Sequence, residues 1–376
     1  MVGVRRHVVV VGAGVVGCAV ARELALRGCR VTVLEKERPT AGATHATFGW
    51  LNNQAYFRNA DGITEADARA YFGLHRLALG AWRRTEKLLG NVGIRWNGMV
   101  TWCAPGSAEQ ERFAGELARR QAWGSPARRV DADEIARLVP GCVPGRVGTG
   151  FYAPDEGNID PLVAVAALAG AGRDLGVDMR WPCTVTGFRE KGSRLVGVDT
   201  DDGPVDCDAA VVTGGVDTPA LAAEAGVRVP LVESTGAIVH IAPHPLVLGP
   251  VLQAPDVHVV QRPDGRAAVA RHFAGTPVVE AGDADQDALL RTASAVLPAL
   301  GNARVERVTV GRRILPADGL PIVGRGSQDV WCLATNAGIS LGPLLAQLLT
   351  TEIVDDAEVD LLAPYRAGRF AEAGDA

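Results

Sequence analysis

Gly12, Gly14 and Gly17 fall in GxGxxG spacing directly after the apolar run 8–11, and Glu35 closes the next apolar run, 31–34. Those residue types at that spacing suit a dinucleotide. The first glycine permits a sharp turn, the second lets the backbone approach a pyrophosphate, and the third lets the following helix pack closely on the sheet. Amides at the helix N-terminus, in the stretch Ala13, Gly14, Val15 and Val16, then face the phosphates with the positive end of the helix dipole. Glu35 is placed to accept hydrogen bonds from ribose hydroxyls, and its charge would repel the extra phosphate of NADP. A glycine turn that binds nothing would need strand, turn, helix and acid to coincide by chance. These residues leave FAD and NAD both open.

Such a turn must be carried by strand, helix and strand: 8–11, about 15–27 stopped by Gly28, and 31–34. A small-residue segment with little periodicity follows Glu35, and a loop of that length in a compact domain is usually functional. Thr64 opens a helical pattern with Asp67 at the capping-box position and Leu74, Leu77, Trp82 and Leu89 on its inner face. His75, inside that pattern, reads as a surface or packing residue. A strand over 93–102, a charged helix over 107–123 and a short capped helix from Arg128 come next. The loop 151–161, punctuated by Pro154, Gly157 and Pro161, leads into an alanine-rich helix ending near Gly176. An antiparallel meander turns at 191–192 and 202–203 and ends in a buried strand, 209–213, closed by Gly214 and Gly215. One strand over 229–241, a hairpin turning at 263–265, a helix over 283–297, a strand unit over 310–324 and a helix from Gly338 to about 353 complete the chain.

A chain of 376 residues is long enough for about two domains. Its hydrophobic content of 47% and charged content of 22% are those of a globular protein. The net charge of -5 gives no electrostatic reason to expect nucleic acid or an anionic membrane as partner. Seven cysteines without a CxxC pair suit a reducing compartment, and the cytoplasm is the expected location. Neither a metal-ligand spacing nor a transmembrane run of ~20 apolar residues occurs. The oligomeric state is left open. Nucleotide-domain patterns at the beginning, middle and end, with sheet-rich patterns between, indicate a discontinuous domain into which a second is inserted twice.

Taken in order, these landmarks resemble the D-amino acid oxidase and glycine or sarcosine oxidase superfamily of FAD-dependent enzymes, across nearly the whole chain. The resemblance implies an α/β fold. A discontinuous Rossmann-like FAD-binding domain (1–82, 145–225 and 306–364) would carry an inserted sheet-rich substrate domain (83–144 and 226–305). GAGVVG with Glu35 and Lys36 matches the family's FAD-adenosine site, and Thr44 to Gly49 its small-residue loop. ProAspGluGlyAsnIleAspPro, 154–161, is similar to its Pro-[Asp/Glu]-Gly-x-[Asp/Asn]-Pro loop. ThrGlyGly, 213–215, stands for its Ala-Ala-Gly strand end and brings Gly214 to the cofactor. GRRILPADGLPIVG, 311–324, is similar to Gly-x-Arg-Pro-x-Thr-Pro-Asp-Gly-x-Pro, which puts Arg313 at the arginine that grips the substrate carboxylate. TNAGIS, 335–340, represents the following Gly-His-Ser-Gly-x-Gly. Asn336, Ala337, Gly338, Ile339 and Ser340 would then meet the flavin's pyrimidine edge at a helix N-terminus, with Asn336 in place of the usual histidine.

The implied reaction is oxidation of the C–N bond of a small amino or imino acid, such as glycine, sarcosine, a D-amino acid or a proline-like compound. The product is an imine, and hydride passes to the flavin. An NAD-linked dehydrogenase, or a flavin-binding subunit of a hetero-oligomeric amine dehydrogenase, is the alternative. His272 occupies a context similar to a substrate-site histidine of sarcosine oxidases, and Ala268 stands where those enzymes carry an oxygen-activating lysine. His45 is a candidate for covalent flavin attachment, by resemblance to dimethylglycine and sarcosine dehydrogenases. Its spacing to Gly49 is about one residue longer than theirs. Gly311 takes the place of the flavin-linking cysteine of monomeric sarcosine oxidases. Arg312 would point to the opposite face from Arg313.

Overall fold

The computed structural model describes residues 5–53, 63–245, 248–271 and 283–370. His272 lies outside them. Strand β1 (His7–Val11), helix α1 (Val15–Leu26) and strand β2 (Arg30–Leu34) form the expected unit, with β1 and β2 parallel and in register from His7 opposite Arg30 to Val11 opposite Leu34. Every other valine of β1 serves a different core. Val8 and Val10 pack among α1 and its neighbours, while Val9 and Val11 pack against the meander on the opposite face, as a strand buried on both sides requires.

This sheet has six strands, in the order Ile322–Arg325, Val330–Ala334, Ala209–Val212, β1, β2, Asp178–Arg180. Only Ile322–Arg325 runs antiparallel to its neighbour. The C-terminal ends of the three central parallel strands therefore bring together the loops that follow Val11, Val212 and Ala334. On one face α1 packs between the helices Pro161–Asp174 and Gly338–Asp355, and the helix Glu65–Leu89 closes that side. The Thr64–Asp67 capping box is formed in both directions, with Asp67 N–H donating to Thr64 Oγ1 and Thr64 N–H to the Asp67 carboxylate. Leu77 departs from expectation: it is 50% exposed, because the buried stripe runs through Leu74, Ala78, Ala81 and Trp82. His75 is fully buried and its Nδ1 contacts the Asn52 carbonyl at 2.7 Å, so it is a packing residue.

The second large sheet has eight strands, from Val305–Arg312 at one edge through Thr235–Ile241, Ala267–Ala270, Val257–Gln261, Val251–Ala254, Met99–Cys103 and Thr149–Ala153 to Arg128–Arg129. Thr149–Ala153, which falls within the expected nucleotide-binding segment 145–225, and Val305–Arg312, which begins at the expected boundary 305/306, both hydrogen-bond into this sheet, where their cross-strand partners, Met99–Cys103 and Thr235–Ile241, lie. The expected strand over 93–102 is split, since Gly98 turns the chain at φ +74 between Ile94–Arg95 and Met99–Cys103. The expected strand over 229–241 likewise divides into Leu231–Val232 and Thr235–Ile241. The unit over 310–324 passes through three sheets.

One face of the eight-stranded sheet packs on the helix Asp283–Val296. The other, with Met99, Phe151, Ile238, Val260 and Ala268, receives Phe48 and Trp50 from the loop after β2. Trp50–Leu51 itself pairs with Gly157–Ile159 in a small sheet completed by Ile94–Arg95. All seven cysteines are free. No helix among the described residues is long and apolar enough to cross a membrane.

Candidate active site

At the turn after β1, Gly12 has φ +101, and a Cβ built there would stand 2.7 Å from the Thr213 carbonyl oxygen. A Cβ on Gly17 would stand 2.0 Å from the Gly12 oxygen, so α1 reaches the strand only because position 17 is bare. Gly14 is different: a Cβ there would meet only Thr44 Oγ1, at 3.1 Å. Gly14 caps α1 without a side-chain bond of its own, and the Val15 N–H donates instead to Thr44 Oγ1 at 3.2 Å. The Glu35 carboxylate braces the turn. Its Oε2 accepts from the Ala13 N–H at 2.8 Å and its Oε1 from the Glu37 N–H at 3.0 Å, which leaves further lone pairs on both oxygens. Lys36 Nζ reaches Asp217 Oδ2 at 2.7 Å, just after Gly214, so that an ion pair joins the loops on either side of the glycine turn.

A second helix N-terminus converges on the first. A Cβ on Gly338 would stand 3.2 Å from Val16 Cγ2, so the first turns of α1 and the 338–355 helix touch. Trp82 Nε1 donates to the Ile339 carbonyl at 2.7 Å and Ser340 Oγ to the Trp50 carbonyl at 3.0 Å, which fix that end against the neighbouring elements. Ala337 N–H is met by Thr335 Oγ1, and Asn336 is exposed beside it. Two positive dipole ends side by side, with a carboxylate braced on the turn, form a cradle that fits an extended, doubly anionic dinucleotide.

The loop 38–49 runs from that cradle to the eight-stranded sheet. Ala46 lies on Gly311, where a Cβ would come within 2.4 Å of the Ala46 Cβ. His45 is half-buried, and burial, with Arg307 and Arg38 adding to it, holds its pKa below the ordinary histidine value. His240 shares this corner. Burial first, then Arg307, Arg262 and His45, bring it down to about 4, and its Nε2 lies 2.9 Å from Thr309 Oγ1. Both imidazoles are thus neutral at physiological pH.

Gly49, at φ +77, has no room for a side chain: a Cβ would be 2.2 Å from the Ile159 oxygen and 2.8 Å from Arg262 Nη1. Arg262, missed in the sequence, is buried here. Its Nη2 donates to the Phe48 carbonyl at 2.7 Å and its Nη1 to the Ile159 carbonyl, and burial draws its pKa down to about 10. An arginine just before a ProAspGly turn looks like a surface residue, and no local pattern marks this one as a clamp. The His258 ring, also missed, meets the edges of Phe48 and Trp50 at centroid distances of 6.2 and 5.6 Å.

Arg313 comes from the point where the chain leaves the large sheet. Its N–H donates to the Ser234 carbonyl at 2.8 Å and its Nη1 lies 3.4 Å from Ser234 Oγ; the residue is half-buried. The next residue, Ile314, lies against Gly215, with 3.8 Å between Ile314 Cγ1 and a Cβ built on the glycine. Arg313 is therefore next to the segment that follows the 209–212 strand. Arg312 turns outward, 61% exposed, with Glu233 at 4.0 Å. The structure thus brings the glycine turn, Gly214, the 336–340 segment and the 44–49 loop to one end of the parallel sheet, with Arg313 at its border.

Residues 7–352 match the family model described as DAO, FAD dependent oxidoreductase. The bifunctional protein ThiO/ThiG of Trichormus variabilis is 28% identical over 375 residues, which span 97% of this chain and 55% of that protein. The chain thus covers about half the length of that bifunctional relative. The glycine oxidase of Pseudomonas aeruginosa is 27% identical over 380 residues, 97% of this chain and 99% of that one. Among solved structures, glycine oxidase from Geobacillus kaustophilus has a TM-score of 0.84 at 24% identity, over 97% of this chain and 100% of that one. L-proline dehydrogenase from P. horikoshii has a TM-score of 0.83 at 21% identity, over 97% and 98%. At those identities the two structures speak to the fold.

Proposed function

The chain belongs to the DAO family of FAD-dependent oxidoreductases, and from that premise we propose that it oxidises the C–N bond of a small amino or imino acid to an imine. Of the two ligands the glycine turn left open, the family match selects FAD. When bound, the flavin supplies a two-electron acceptor for the hydride leaving the carbon next to nitrogen. Gly12, Ala13, Gly14, Val15, Val16 and Gly17 would hold the pyrophosphate, and Glu35 the adenosine ribose. Lys36, Thr44, His45, Gly49 and Gly214 would border the cofactor along its length, and residues 336–340 would hold the pyrimidine end. The second nucleotide-binding segment would begin after Ala153 and the third after Arg312, with Thr149–Ala153 and Val305–Arg312 assigned to the substrate-binding sheet.

The observation that carries the substrate reading is the placement of Arg313, a half-buried guanidinium at the border between the two large sheets and next to the Gly214–Gly215 segment. A fork of N–H donors at that border matches a carboxylate in a bidentate contact and would fix the orientation of an amino acid. The name of one relative, glycine oxidase, agrees with a carboxylate-bearing amine.

Anaerobic flavin bleaching against glycine, sarcosine, D-amino acids, proline and cyclic imino acids tests this directly. Bleaching by at least one carboxylate-bearing amine, and not by the matching decarboxylated amine, is the expected result. Equal bleaching by both would remove the carboxylate from the reading.

A further inference from the structure

We propose that Glu156 stands in the folded protein as a neutral carboxylic acid, a proton-bearing positioning residue that holds Asn53 and, through it, the Trp50–Leu51 strand. Glu156 lies in the turn between the Thr149–Ala153 and Gly157–Ile159 strands and has no solvent exposure. Its Oε1 accepts from the Asn53 N–H at 2.9 Å and from Arg120 Nη1 at 2.5 Å. Asp155 holds the same asparagine, its Oδ2 accepting from Asn53 Nδ2 at 2.8 Å. The strand held this way is also bonded by Ser340, at the N-terminal end of the 338–355 helix.

Two observations favour a proton. Arg120, 2% exposed, is shared: Glu116 Oε1 accepts from its Nε at 3.0 Å and lies 2.9 Å from its Nη2. A guanidinium does not give up its proton in a protein, so two ionised carboxylates around one cation leave a surplus negative charge in a desolvated place. Glu116 still touches solvent, at 12% exposure, whereas Glu156 does not. Glu156 is therefore where the surplus is removed. In addition, among the described residues Glu156 Oε2 is buried without a hydrogen-bond partner, and so are Asn53 Oδ1, Asn158 Oδ1 and Asp155 Oδ1. All four accept and none can donate. A proton on Oε2 converts one acceptor into a donor, which no rearrangement of the ionised group achieves.

The charged and titratable neighbours are Arg120 and Glu116 from the Glu109–Ala122 helix, Asp155 from the same loop, and His75 and Arg83 from the Glu65–Leu89 helix. Burial keeps His75 neutral, with a pKa near 4, and Arg83 is bonded to the Asp155 carbonyl. Burial, opposed by Arg120, carries Glu156 from 4.5 up to about 7. The sign follows. Between those two values the folded protein keeps a proton that the unfolded chain has released, so stability falls as pH rises through the window and is level above it.

The test needs no substrate. In the flavin-loaded enzyme, an infrared difference spectrum between pH 6 and pH 9 should show a protonated carboxylic C=O band that is lost at the higher pH and is missing from Glu156→Gln. Glu116→Gln, which leaves Arg120 to Glu156 alone, should shift loss of that band to lower pH. The difference in melting temperature, Glu156→Gln minus wild type, should widen from pH 5 to pH 8. A wild-type spectrum without the band, or a band unmoved by Glu116→Gln, overturns the proposal, and parallel melting curves for wild type and Glu156→Gln do the same. If Glu156→Gln does not fold, the wild-type band and its shift in Glu116→Gln decide alone.

Discussion

Gly311 and Ala46 face each other so closely that no side chain fits between them: a Cβ at 311 would stand 2.4 Å from the Ala46 Cβ. Gly311→Ala must therefore displace the turn that carries Thr44 and His45. Overpacking of this kind costs about 1–3 kcal/mol. Urea unfolding of the purified variant should show that loss together with lower flavin content. A wild-type midpoint would mean that the turn moves freely.

Arg262 satisfies two carbonyls on two different segments, Phe48 and Ile159. Arg262→Met keeps the bulk and removes both donors. Each orphaned buried carbonyl costs about 1–3 kcal/mol, so a loss on the order of 3 kcal/mol is expected in equilibrium denaturation. Arg262→Lys should recover part of it, since one ammonium can reach one carbonyl well but not span both. If Met and Lys were equivalent, the clamp would be packing alone.

Arg313→Ala removes the guanidinium from the border of the two sheets. If it binds a substrate carboxylate, KM for the best amino acid rises on the order of 100-fold, corresponding to about 3 kcal/mol of charged hydrogen bonding. Arg312→Ala, whose side chain is 61% exposed, serves as the control and should leave KM as it was.

His75 and His240 both have pKa values brought down to about 4 by burial, from 6.5. The unfolded chain takes up protons at these sites as pH falls below 6.5, while the folded protein resists until about 4. Stability present at neutral pH is thus lost on acidification through that window. For fully buried His75 the loss is on the order of 3 kcal/mol. His75→Gln should flatten its share of the slope of unfolding free energy against pH between 4 and 6.5. An unchanged slope would place the imidazole in contact with solvent.

The glycine turn was legible because its chemistry is local: strand, glycines, helix and acid lie within 28 residues, 8–35. The capping box at Thr64 and the hairpin turn at 263–265 were legible for the same reason. Sheet membership was not. Nothing local in 149–153 or 305–312 says which sheet a strand joins, because that is set by partners far away in sequence. Arg262, Arg120 and Glu156 were silent too, since an isolated charged residue looks solvated until the fold removes its water. The alternation around Leu77 misled because a helix 25 residues long meets its neighbours with only part of its apolar surface.

The order of strands in the parallel sheet has a consequence for how the molecule is made. Ala210, Val211 and Val212 pair with Val330, Trp331 and Cys332, and the helix beside α1 starts only at Gly338. A nascent chain still attached to the ribosome cannot complete the cradle until the segment through Gly338 has emerged. Its earlier strands must wait with open edges, the circumstance in which slow, non-local pairing invites misassembly. Cofactor capture is thus expected to wait for the 330–338 segment, and a chain truncated before Val330 is expected to hold no flavin.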